Sequence, residues 1–191
     1  DDAAAERSER TPWVILVADD DGEVHRATTF ALKGVTIDDR PLSLLHARSA
    51  AEAEAVLRAN PQVAVAMLDV VMETPDAGLR LVEVIRSQLG LGNLRIILRT
   101  GQPGYAPELE VIRAYDINDY RTKSELTQTR LITTLTAAVR AFDQLELISA
   151  TQRGMDAVSR ASNTLLRLHT LSDLAMGLFE RMASVTEIKL S

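Results

Sequence analysis

The sequence predicts an α/β fold: a five-stranded, doubly wound parallel sheet with a long C-terminal helical extension. Three observations predict it. Short β-branched apolar runs alternate with amphipathic stretches from Trp13 to about Ala141, which is how strands joined by right-handed helical crossovers read. The first and third of those runs end in acids, Asp19-Asp20-Asp21 and Asp69. Beyond Glu125 the apolar spacing becomes 4-3-4-3 through Leu131, Leu135, Ala138, Phe142 and Leu145, the narrow seam of a helix that packs along its length.

Taken in order, Trp13–Ala18 is a β-branched run bounded by polar residues and predicts a buried strand. Val24–Leu32 predicts a helix. Leu42–Ala47 is the second strand, and Ser49-Ala-Ala-Glu52 is a capping box that starts a helix over Ala50–Asn60, ended by Pro61. Val63–Leu68 is the third strand, and Leu79–Gln88 a helix with Leu81, Val82 and Ile85 on one side. Leu94–Leu98 with its polar end at Thr100, a short helix over Glu108–Tyr115, and a brief strand over Ile117–Tyr120 complete the alternation. The strand order expected is the flavodoxin-like 2-1-3-4-5. No proline interrupts Glu125–Arg167, so a helix of about 40 residues, roughly 60 Å long, can form there. Gly154 is its weakest internal point. The seam slips between Glu146 and Gly154 and resumes at Val158, Ala161, Leu165 and Leu168. One more helix is expected around Leu174, Leu178, Phe179 and Met182.

Composition narrows the function classes. With 46% hydrophobic and 25% charged residues in 191, the chain has the balance of a globular protein. The longest apolar runs have strand length, far short of a membrane span. The net charge of −6 argues against direct nucleic-acid binding. There are no cysteines, hence no disulfides or thiolate metal sites, and a cytoplasmic location is expected. Residues 1–11 read as a disordered lead-in.

In a doubly wound sheet, ligands bind outside the carboxyl ends of the strands where the strand order reverses. Asp19, Asp20 and Asp69 converge there, with Thr100 and Lys123 arriving from the last two strands. Clustered carboxylates call for a hard divalent cation, and Mg²⁺ is satisfied by two or three of them because it keeps several waters. A carboxylate can also attack phosphorus to give an aspartyl phosphate. The metal, a lysine and a hydroxyl then neutralise the transferring phosphoryl oxygens.

Over roughly Trp13 to Phe142 the sequence resembles the receiver domain of two-component response regulators. The matching segments are Val14-Ile-Leu-Val-Ala-Asp19-Asp20-Asp21, Leu68-Asp69-Val-Val71-Met, Ile96-Ile-Leu-Arg-Thr100-Gly101 and Asp119-Tyr120-Arg-Thr-Lys123. The resemblance implies that Asp69 is the phosphoacceptor. Asp19, Asp20, Asp69 and the Val71 carbonyl would be the Mg²⁺ ligands. Thr100 would be the switch hydroxyl, Lys123 the partner of the phosphoryl oxygens and Tyr120 the aromatic that changes rotamer. It implies a histidine kinase or phosphotransfer protein as the phosphoryl donor. Two features depart from the family: Ser124 stands where receivers carry proline, and the loop through Val70–Gly78 is one residue longer and places Glu73 and Asp76 near the acids. Asp21 reads as a helix cap.

A phosphatase of the haloacid-dehalogenase type would use a similar set, but it needs an acid two residues after the nucleophile. That position is Val71, which cannot transfer a proton. The expectation is therefore a signalling receiver and not an enzyme, and an intact acidic set also argues against a vestigial scaffold. His25, His46 and His169 lie in no recognisable phosphoacceptor motif. The seam beyond Leu145 predicts homodimerisation through the extension, residues 143–191, with the receiver over 12–142. Leu147–Val185 more weakly resembles a linker helix and the opening of a sensory-type domain. That domain follows receivers ahead of HD-GYP phosphodiesterases or kinases.

Overall fold

The computed structural model describes residues 11–101, 117, 119–122 and 127–187, without the side chains of 163–175 and 177–187. The expected helix over Glu108–Tyr115, and Lys123 and Ser124, lie outside the described residues. The chain divides into two units, Asp1–Glu146 and Leu147–Ser191.

The first unit holds β1 (Trp13–Ala18), α1 (Gly22–Leu32), β2 (Thr36–Ile37), β3 (Arg40–Ala47), α2 (Ala50–Ala59), β4 (Val63–Asp69), α3 (Ala77–Glu83), β5 (Arg95–Thr100) and β6 (Asp119–Thr122). Helix α4 (Gln128–Glu187) begins in it. The sheet runs β2-β3-β1-β4-β5-β6, and the pairs from β3 to β6 are all parallel. Those five strands are the predicted 2-1-3-4-5 order. The addition is β2, which pairs antiparallel with Arg40–Pro41 through the two-residue turn Asp38-Asp39. Both turn residues have positive φ, 50° and 61°, the condition for a hairpin turn whose twist matches its strands. Arg140 closes the turn by donating two hydrogen bonds to Asp38, at 2.8 and 3.2 Å.

Two apolar layers flank the sheet. Leu16, Ala18, Ala66, Leu68, Ile96 and Leu98 pack with Leu57 of α2 and Leu81 and Val82 of α3. Ile15, Val17, Val65, Met67 and Ile97 pack with Leu32 of α1 and Leu131, Leu135 and Val139 of α4. The seam residues Leu131, Leu135 and Ala138 thus cover their own domain. Residues 84–88, expected as ordinary helix, form a π-helical turn at the end of α3.

Within the second unit the chain continues as α4 to Glu187, without a break at Gly154 or at the boundary expected after His169. Leu147, Ile148, Met155, Val158 and Met176 are exposed there. Among the described residues no helix is long and apolar enough to cross a membrane.

Candidate functional site

Asp19 follows the last residue of β1 and is fully buried. Its N–H donates to the Ala47 carbonyl at 3.1 Å, fixing the strand end. Its Oδ1 accepts from the Asp21 N–H at 3.0 Å. Asp20 next to it is exposed. Asp21 caps α1 by accepting from the Glu23 N–H at 2.8 Å, the cap role expected of it. Asp69 is the last residue of β4, only 3% exposed. Carboxylate oxygens of Asp19, Asp20 and Asp69 all lie within 4.8 Å of one another.

The loop after Asp69 is shaped by Gly78, whose N–H donates to the Val70 carbonyl at 3.0 Å. A Cβ at that position would stand 2.0 Å from the Asp69 carbonyl oxygen. Only glycine allows the start of α3 to fold back against the strand end. Val71 is half-buried in this loop. Glu73 and Asp76, expected to add charge near the acids, each have hydrogen-bond partners of their own. Glu73 accepts from the Ala50 N–H at the start of α2, at 3.0 and 3.2 Å. Asp76 accepts from Thr74 and Arg80, at 3.0 and 2.7 Å. Thr100 is fully buried at the end of β5, in register with Thr122 of β6, the residue before Lys123. Tyr120 is buried in the layer that includes Leu98.

Sequence reasoning missed Arg99. It lies beside Thr100 on β5, 3% exposed. Its Nη2 reaches Asp19 Oδ2 at 3.3 Å and its Nη1 donates to Thr28 Oγ1 at 3.4 Å. Burial pushes its pKa down from the usual arginine value, while Asp19 and Asp69 push back. The signal available was a cation following directly on the apolar run Ile96-Ile97-Leu98. A second unforeseen feature is a histidine pair. His25 donates through Nε2 to the Asp19 carbonyl at 2.7 Å, and its Nδ1 lies 2.8 Å from Nδ1 of His46. Since a carbonyl only accepts, a neutral His25 has its proton on Nε2, and His46 then supplies the proton between the rings.

Chemically, the cluster is an all-oxygen donor set at a strand end, which suits a hard divalent cation rather than a soft one. Residues 135–191 match the family described as a domain of unknown function (DUF3369). The chain is 39% identical over 180 residues to the 3'3'-cGAMP-specific phosphodiesterase 2 of Vibrio cholerae, covering 94% of this chain but 34% of that protein. The expectation that the protein is not an enzyme is overturned by this relative, which is one; the chain spans about a third of its length. Val71 bars one hydrolase chemistry at Asp69, whereas the relative's activity belongs to a protein about three times as long as the span matched.

Among solved structures, a response regulator receiver domain protein of Clostridium thermocellum superposes with a TM-score of 0.58 at 20% identity, covering 70% of this chain and 98% of that one. The signal receiver domain of an HD domain-containing protein from Pseudomonas fluorescens gives 0.59 at 22%, covering 70% and 99%. A response regulator receiver protein of Pseudomonas putida gives 0.54 at 22%, covering 67% and 98%. With these superpositions, and a mostly parallel sheet with acids gathered at the ends of its central strands, the N-terminal unit has the receiver fold of response regulators.

Proposed function

We propose that the N-terminal unit is a phosphoacceptor switch. Asp69 takes a phosphoryl group from a histidine kinase or phosphotransfer protein, with Mg²⁺ held by Asp20, Asp69, the Val71 carbonyl and, directly or through water, Asp19. The observation that carries this reading is the packing of three carboxylates within 4.8 Å at the ends of adjacent parallel strands. Such a cluster is costly unless a cation neutralises it. Mg²⁺ supplies charge neutralisation at the phosphoryl oxygens. The chain's own residues do the rest: Asp69 presents the nucleophilic oxygen, Thr100 meets the new phosphoryl group, and Lys123 pairs with its oxygens. Tyr120 reports the change by moving its ring.

The switch acts on a downstream activity. The phosphodiesterase relative supports an enzyme-linked regulator, in which this chain is the controlling part and the helix from Leu147 onward carries the signal. Exposed Ile148, Met155 and Val158 support a parallel homodimer through that helix. A cytoplasmic location accords with a kinase as donor.

The deciding experiment is intact-mass spectrometry after acetyl phosphate and Mg²⁺. Wild type should gain one phosphoryl group and the isosteric Asp69→Asn none. Equal labelling of the variant sinks the assignment.

A further inference from the structure

We propose that Arg99 is a resident counter-cation of the acidic site, one that holds Asp19 in the metal-free protein and competes with the divalent cation for it. The proposal rests on the reading of Asp19, Asp20 and Asp69 as a divalent-cation site.

A fully buried carboxylate survives only with partners. Those of Asp19 include the Asp21 N–H on Oδ1 and the Arg99 guanidinium on Oδ2. Arg99 comes from a strand 80 positions along the chain and is buried to the same depth, with 4% side-chain exposure. Among the described residues its Nη1 reaches only the Thr28 hydroxyl, and its Nε has no hydrogen-bond partner. An arginine left partly unsatisfied in the interior is expensive on hydrogen-bonding grounds alone. The compensation on hand is the charge of Asp19 and Asp69, the two acids that act on it. An aliphatic side chain would pack there without that cost but would leave the carboxylates unbalanced.

A metal entering the cluster meets a cation already in place. A unit positive charge already seated on Asp19 opposes the entry of a second cation at the same carboxylate; with solvent screening and relaxation of the two side chains the net effect expected is about tenfold. Arg99 therefore lets the receiver fold without metal and sets its metal affinity below that of the same site with a neutral residue.

The test uses the 191-residue chain as wild type, Arg99→Met and Arg99→Lys. Mg²⁺ binding is measured by calorimetry, and thermal unfolding is followed with EDTA or with Mg²⁺. Arg99→Met should bind Mg²⁺ about tenfold more tightly, melt lower than wild type in EDTA and recover when Mg²⁺ is added. Arg99→Lys, which keeps the charge, should bind Mg²⁺ within about threefold of wild type. If Arg99→Met is unfolded in EDTA, folding on addition of Mg²⁺ supports the proposal and failure to fold overturns it. Equal affinity of Arg99→Met and wild type overturns it, as does an Arg99→Lys that binds as tightly as Arg99→Met. Absence of binding in all three proteins, wild type included, overturns the metal-site reading and this proposal with it.

Discussion

Replacing Gly78 by alanine should unseat the acidic site while leaving its side chains untouched. The added Cβ would meet three backbone atoms: the Asp69 carbonyl oxygen at 2.0 Å, the Asp69 carbonyl carbon at 2.9 Å and the Val70 Cα at 2.9 Å. Backbone cannot rotate away as a side-chain tip can, so the start of α3 must lift off the end of β4 by more than 1 Å. Overpacking of this kind costs about 1–3 kcal/mol. Losing the Gly78 N–H bond to Val70 adds about 1 kcal/mol. A total of about 2–4 kcal/mol lowers the melting temperature of a domain this size by about 10 °C. Because the displaced peptide is that of Asp69 itself, Mg²⁺ affinity should fall as well. Gly101→Ala is the matched control, since a Cβ there meets nothing within 4 Å among the described residues, and it should melt within about 2 °C of wild type. Circular-dichroism melts and Mg²⁺ calorimetry on the three proteins decide the matter. A Gly78→Ala chain that melts like the Gly101→Ala control refutes the steric argument.

Two further outcomes follow from burial and charge. Truncation after Glu146 should turn a dimer into a monomer by light scattering, because it removes the exposed Ile148, Met155 and Val158; a monomeric 191-residue chain at high concentration rules out the dimer. His46 has its pKa lowered from 6.5, first by burial and second by the nearby charge of His25. The unfolded chain therefore binds the proton more readily than the folded one, so stability is level above about pH 6.5 and falls as pH drops below it. Urea midpoints between pH 7.5 and 5.5 should show that fall in wild type and a shallower one in His46→Gln, and a flat wild-type profile would contradict it.

Much of the fold was legible because its strands are short, apolar and bounded by acids or glycine. The run Trp13–Ala18 is the strand to the residue. The last strand sits two residues later than expected, at Asp119–Thr122, because Asp119 and Arg121 pair with each other at 3.0 Å across one face and mask an edge strand as loop. The β2 strand was invisible: two residues carry no periodicity, and Asp38-Asp39 signals a turn only once both are known to take positive φ. The π-helical turn at Val84–Gln88 leaves no mark in composition either. In the site, the three acids could be placed from strand ends alone. Arg99 could not, since whether a strand-terminal cation points into the interior depends on register with β4, where Arg99 lies opposite Asp69. The use of Glu73 to cap α2 is likewise a contact across 23 positions that no local pattern announces.

Strand β4 is buried along all seven of its residues, and that uniformity creates a problem of alignment. Val63-Ala-Val-Ala-Met-Leu68 offers apolar side chains to both faces, so hydrophobic patterning gives the strand little reason to prefer one setting over another displaced along its neighbours. The register shift at Val14 and Ile15, which accommodates Ala64 as an extra residue, fixes one end. At the other end stands a single carboxylate. Sliding β4 toward the interior would drag Asp69 into hydrocarbon, and sliding it outward would expose Met67 and Leu68; both moves are heavily penalised. The residue proposed to receive the phosphoryl group is thus also the pin that stops the central strand from slipping while the sheet assembles.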